Sequence, residues 1–194
     1  MIDKSEEIIL GSGELYQIEF DGETIPEDSA IETDGNRAGN IKGGAKIEYS
    51  TSSQTVKSDN GRVVKTILTE EIVKMITGMI TWADRWLEAV IRTARKVTDG
   101  VAEGHTRYHI GGLNNVNTKN WLFRFVHTRS DGGKVRLTMT GKNTGNVSIA
   151  FDPENATTVD AEITAEPVKG DGTLLILDIE RPAAAAAAVD SGTA

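Results

Sequence analysis

The sequence predicts a mainly β fold, a two-sheet β-sandwich or partial barrel with one flanking α-helix. Three observations carry that reading. Apolar and polar residues alternate with a period of two in segment after segment, the pattern of half-buried strands. Turn-forming clusters at 130–133, at Asp152-Pro153 and at 169–172 separate these segments. One stretch alone carries apolar residues convincingly at helical spacing, so helix is the minority element.

Taken in chain order, GNIKGGAKIEYSTSSQTVKSDNGRVVKTI (39–67) opens a β-hairpin. Ala45, Ile47 and Tyr49 alternate with Lys46, Glu48 and Ser50. Gly43-Gly44 lets the strand bend or another backbone come close. Next come Thr51, Ser52, Ser53, Gln54, Thr55, Val56, Lys57, Ser58, Asp59 and Asn60, with Val56 the sole aliphatic side chain, before apolar residues resume at Val63. A long polar hairpin loop over about 50–62 is the expectation. Such an end cannot bury itself, which leaves flexibility, ligand binding or contact with another chain as its uses. In 69–80 the apolar set fits either period, and Gly78 among β-branched neighbours favours a strand.

TWADRWLEAVIRTARKV predicts the helix, over about 82–97. Trp86, Leu87, Val90, Ile91 and Ala94 fall on one face, Thr81 and Asp84 have capping-box spacing, and Arg92, Arg95 and Lys96 suit its C-terminal end. Asp99-Gly100 stops it. TRYHI (106–110) reads as a short strand, and WLFRFVHT (121–128) as the strongest one. Trp121, Phe123 and Phe125 share one of its faces, while Leu122 and Val126 flank Arg124 on the other. SDGG makes a hairpin turn into KVRLTMT. NVSIAF, TVDAEITAE and TLLILDI continue the alternation. The whole reads as a single β domain over 1–180. RPAAAAAAVDSGTA (181–194) follows as a flexible alanine-rich tail, too short to hold a helix without tertiary contacts.

Composition narrows the function. With no cysteine among 194 residues, disulfides, thiol catalysis and thiolate metal sites are excluded. No apolar run approaches the roughly 20 residues that span a bilayer. The first residues lack the basic flank and apolar stretch of a signal peptide, so synthesis in the cytoplasm is expected. The net charge of −8 is unevenly placed: residues 1–34 hold eleven acids and one base, net −10, and the rest twenty bases and eighteen acids, net +2. An acidic arm on a near-neutral body argues against sequence-specific nucleic-acid binding, which needs a basic surface.

Each apparent active-site motif fails on its spacing or its setting. GNRAGNIKGGAK and GKNTG are glycine-rich without the pattern that cradles phosphate. His127, Ser130 and Asp131 are neighbours in sequence, but a strand end and a turn point them apart, which a triad does not tolerate. Asp152, Glu154 and Asp160 could offer oxygens to a hard cation but lack EF-hand spacing and read as an exposed loop. Trp121, Phe123 and Phe125 could stack on bases, but so few aromatics are needed in the core. The expectation is therefore no catalytic residues, no metal and no cofactor.

The order of the pieces resembles the major tail tube proteins of long-tailed, non-contractile (siphovirus-type) bacteriophages. LGSGELY, NIKGGAKIEYS, VVKTILTEEIVKMITGMITW, FRFVHTRSDGGKVRLTMTG, VSIAFDPENATTVDAEITAEP and GTLLILDIE carry it, over about residues 9–180. The resemblance implies a tail-tube type of β-sandwich and a structural virion protein made in the host cytoplasm. It also implies self-assembly as hexameric rings stacked into a hollow tube, which conducts the genome into the host. Its partners would be further copies of itself, with tape measure, terminator and distal tail proteins. Double-stranded DNA would be met only in passing through the lumen, and no membrane would be bound. On this reading 51–60 is an assembly hairpin that reaches a neighbouring subunit or the next ring, and acidic residues on a lumen wall would keep DNA from sticking. Two other readings stand beside it: a tube subunit of a contractile tail or secretion-type injection device, and a monomeric β-barrel module binding a small ligand. A hydrolase lacks a nucleophile–base pair.

Overall fold

A computed structural model describes residues 13–57, 59, 63–81, 83–149, 159–168, 170 and 172–180. The protein is mainly β, with one large antiparallel sheet, a small second sheet and few helices. In chain order the elements are β1 (Glu14–Phe20), α1 (Asp28–Ile31), β2 (Arg37–Gly39), β3 (Ile41–Lys57), β4 (Val63–Met79) and α2 (Asp84–Val90). They continue with β5 (Arg95–Val97), β6 (Arg107–His109), β7 (Asn120–Thr128), β8 (Lys134–Asn143), β9 (Ser148–Ile149), β10 (Val159–Ala165) and β11 (Ile176–Ile179). The large sheet runs β2-β1-β7-β8-β10-β4-β3, with β11 added to β8 and β9 to β10. β5 and β6 pair by themselves.

β7 is central because both its faces are apolar. Trp121, Phe123 and Phe125 enter a cluster with Leu15, Met75, Met79, Met139, Val159 and Ile163, covered by Trp86 and Val90 of α2. Leu122 and Val126 join Tyr16, Phe20 and Ile31 on the opposite face. β10 shows the expected alternation of burial, while β7 is buried on both faces and β8 nearly so. Gly141 marks the closest crossing: a Cβ there would lie 2.2 Å from the Thr164 carbonyl oxygen across the β8–β10 pair.

The helix is shorter than its sequence pattern. It ends at Val90, where Ile91 adopts φ −109° and ψ 96°. Arg95 and Lys96 leave the expected helix to pair as β5 with Tyr108 and His109 of β6, and the Lys96 ammonium binds the Asp84 carboxylate. The β-branched run around Ile91 and Thr93 gives a helix little help against that pairing. No capping box forms either. Ala83 is the N-cap without a side-chain hydrogen bond, and the Thr81 hydroxyl instead accepts the Asn40 N–H at 2.9 Å. Trp86, Leu87, Val90 and Ala94 are buried as their spacing predicts, and Ile91 is partly so.

Described acids of the N-terminal stretch, from Glu14 onward, pair with the body of the fold. Glu14 pairs with Arg37, and Glu19 with Lys119. α1 is one turn long, too short to persist alone. It is held by Ile31, fully buried, and by ion pairs to the sheet. Arg124 lies 5% exposed on β7, its Nη1 bound to the Asp28 carboxylate and its Nε donating to Thr138 Oγ1 at 2.9 Å. Arg136 donates to Glu32 at 2.6 Å and to Glu180 at 3.0 Å, and Lys134 donates to Glu32 at 2.7 Å. Neutralising basic side chains of the central strands is thus one use of these acids.

Burial pushes the Glu32 carboxyl up, but the hydrogen bonds and charges of Lys134 and Arg136 outweigh it and hold its pKa below the usual carboxylate value. A carboxylate depressed in the folded state stabilises fully above its unfolded pKa of about 4.3, and that contribution is lost as pH falls through the folded value. Glu32→Gln is therefore expected to lower stability at pH 7 by about 1–3 kcal/mol, the scale of a charge-assisted bond. The difference should shrink in urea titrations taken well below pH 4. An equal loss at pH 7 and pH 3 would mean that the side chain contributes through packing and not through charge.

Candidate assembly surface

β3 and β4 are 17-residue strands that leave the body together as a two-stranded ribbon. The strand pairing runs from Ile41↔Met79 to Lys57↔Val63. Polar strands of this kind persist because backbone pairing runs along most of their length and cross-strand side chains add to the ladder. Tyr49 Oη donates to Glu71 at 2.7 Å, Thr69 Oγ1 donates to the Ser52 carbonyl at 3.0 Å, and Thr55 and Thr66 hydroxyls meet at 3.4 Å. The Glu71 carboxylate at its hydroxyl raises the pKa of Tyr49.

The expected loop over 50–62 is thus mostly strand. Thr51, Ser52, Ser53, Gln54, Thr55, Val56 and Lys57 belong to β3, and Asp59 sits in the turn, exposed. Ser58 and Asn60 lie outside the described residues. A ribbon exposed on both faces shows no apolar alternation, and period-two reasoning sees strands only through their buried face. Three register shifts shape the ribbon. One is at Gly43-Gly44, both at positive φ (+83° and +76°), between Lys42 and Ala45. A second falls at Thr69, between Ser52↔Glu70 and Ser53↔Leu68, and a third lies between Val56↔Lys65 and Lys57↔Val63. Below the second bulge Ile47, Val73 and Met75 face the core; beyond it no described side chain is buried.

Ribbon side chains exposed to solvent include Tyr49, Val56, Ile67 and Leu68, the last at 52%. Among the described residues, β3 ends the order of the sheet, so its outer edge offers N–H and C=O groups with no strand beside them. β11 pairs with β8 alone among the described strands and exposes Ile176, Leu177 and Ile179. Among the described residues, β3 and β11 thus each offer an open strand edge with apolar side chains beside it, a combination that single domains ordinarily blunt.

The remaining sequence candidates fall elsewhere. The Asp131 carboxylate is engaged in its own turn, accepting from Arg129 Nη2 at 2.7 Å and the Gly133 N–H at 2.8 Å, while His127 is buried on β7. Asp160 is on β10 opposite Gly78, and Asp152 and Glu154 lie outside the described residues, as do 1–12 and the alanine-rich 181–194. Cavities among the described residues include three of interest. One of about 190 Å³ is lined by Gln17, Asn36, Arg37, Asp84 and Arg85 among others; two larger ones flank Thr173; none of the three is lined by tryptophan or phenylalanine. Among the described residues, no helix is long and apolar enough to cross a membrane. No protein-family model matches the chain, and no curated protein sequence does.

Proposed function

We propose that this protein is a structural subunit that polymerises, as stacked hexameric rings, into the tail tube of a bacteriophage and forms the conduit for DNA ejection. The observation that carries the reading is the ribbon: two 17-residue strands, exposed on both faces at their far end, with no described strand along the outer edge of β3. A strand edge on one side and a second on β11 make a heterologous, head-to-tail contact available, and such a contact closes into a ring when its rotation divides the circle. The fold is mainly β, as the resemblance to tail tube proteins implies. Tape measure, terminator and distal tail proteins would then be its neighbours in the virion.

Self-association is the direct test. Concentrated protein should sediment with a concentration-dependent mass and give rings or tubes in negative-stain electron micrographs. A strictly monomeric species at every concentration would remove the tube reading and favour a ligand-binding module. Micrographs of the native particle separate an unsheathed tube from the tube of a contractile or secretion-type device.

A further inference from the structure

Where β1, the residues leading into β2 and the start of α2 meet, the described residues line a cavity of about 190 Å³. One water needs about 10–15 Å³ of such space, so there is room for a small organic molecule. Gln17 lines the cavity, 1% exposed, and neither its Nε2 nor its Oε1 bonds to another group of the protein. A buried carboxamide left without partners is costly, and folded proteins ordinarily satisfy such groups with ordered water or a bound molecule.

The charges around Gln17 do not cancel. Arg37 is paired with Glu14 at 2.7 Å, and the Asp84 carboxylate is held by the Lys96 ammonium. Arg85, exposed on the same wall, makes no hydrogen bond or ion pair among the described residues. One uncompensated guanidinium therefore stands at a site whose interior offers both a donor and an acceptor. The walls are set before anything binds. Ala83 N–H donates to the Ala38 carbonyl at 2.8 Å, and Asn36 Nδ2 donates to the Ala30 and Ile31 carbonyls at 2.9 and 3.2 Å. A guanidinium and a carboxylate meet as planar, two-pronged partners. A primary amide is likewise the two-bond complement of a carboxamide, each oxygen accepting from the other's N–H. Asp84 on the wall repels a second negative charge, which selects a monoanion over phosphate or a dicarboxylate.

We propose that this cavity binds a small monocarboxylate that also carries a carboxamide, with Arg85 holding the carboxylate and Gln17 exchanging two hydrogen bonds with the amide. All the residues that form the site belong to one chain, so the proposal is independent of the tube reading.

Succinamate, with one carboxylate and one primary amide, is the probe. Titrated onto dilute full-length protein, it should shift the Gln17 side-chain amide resonances saturably. Succinamide, which lacks the charge, and butyrate, which lacks the amide, should each bind about tenfold more weakly or worse, the scale of losing such hydrogen bonds. By calorimetry, Arg85→Ala should weaken succinamate binding by about tenfold or more. Lys57→Ala, which removes the same charge from the far end of β3, should bind as the parent does. Gln17→Leu should raise the melting temperature, because the unpaired amide is gone, and should lose the preference for succinamate over butyrate. A silent titration would overturn the site. So would succinamate binding that survives both Arg85→Ala and Gln17→Leu, because the molecule would then sit elsewhere. Inorganic phosphate bound as tightly as succinamate would overturn the carboxamide assignment. A chain that polymerises and ignores succinamate loses the site and keeps the tube; a strict monomer that binds it keeps the site and loses the tube.

Discussion

Replacing Trp86 with alanine is expected to lower the unfolding free energy by about 3–5 kcal/mol, the range for deleting a large aromatic from a packed core. Trp86 is fully buried and meets Phe123 edge-to-face, centroids 6.2 Å apart and planes at 87°. It sits on the short α2, covering the cluster to which β1, β4, β7, β8 and β10 all contribute. Removing it leaves a cavity that several strands would have to fill at once, and a ladder of paired strands cannot collapse into it without breaking register. Since whole domains are stable by only about 5–15 kcal/mol, the loss should appear as a large drop in the urea midpoint. Trp86→Phe should recover most of it, because the indole N–H has no partner to lose. Leu113→Ala, at a residue 91% exposed, should move stability by about 0.5 kcal/mol or less. A Trp86→Ala loss no larger than that control would show that α2 does not cap the core.

Cutting the ribbon short is expected to abolish polymerisation while sparing the fold. Replacing residues 52–70 by Asn-Gly keeps Thr51 opposite Glu71, which the strand register requires. Joining Tyr49 to Val63, as a loop reading of the sequence suggests, would mismatch the strands, because Val63 pairs with Lys57 and Tyr49 with Val73. The described side chains removed are exposed to solvent, so unfolding should change by about 1 kcal/mol or less. What disappears is the protruding edge and the tip. Circular dichroism, melting temperature and micrographs of the variant beside the parent decide it. Normal tubes from the shortened chain would make the ribbon idle in assembly, and an unfolded chain would make it part of the subunit's own core.

Sequence alone determined the strands that have a buried face. β10 alternates because alternate side chains enter the core, β7 is apolar on both faces because both are buried, and Trp86, Leu87 and Val90 show the 3.6-residue face of α2. It also determined that the segment after Tyr49 cannot bury itself. Tertiary structure decided what that segment becomes. Nothing in Thr51 to Lys57 signals a strand by hydrophobic pattern; it is strand because β4 offers it backbone partners from Glu71 to Val63, with shifts at Ser52/Ser53 and Val56/Lys57, and backbone pairing leaves no mark on side-chain composition. The end of α2 at Val90 was settled in the same way, by the competing β5–β6 pairing. So was the role of the acids near the N-terminus: Asp28 and Glu32 stand about a hundred residues from Arg124 and Arg136, and only the fold makes ion pairs of charges that composition can merely count.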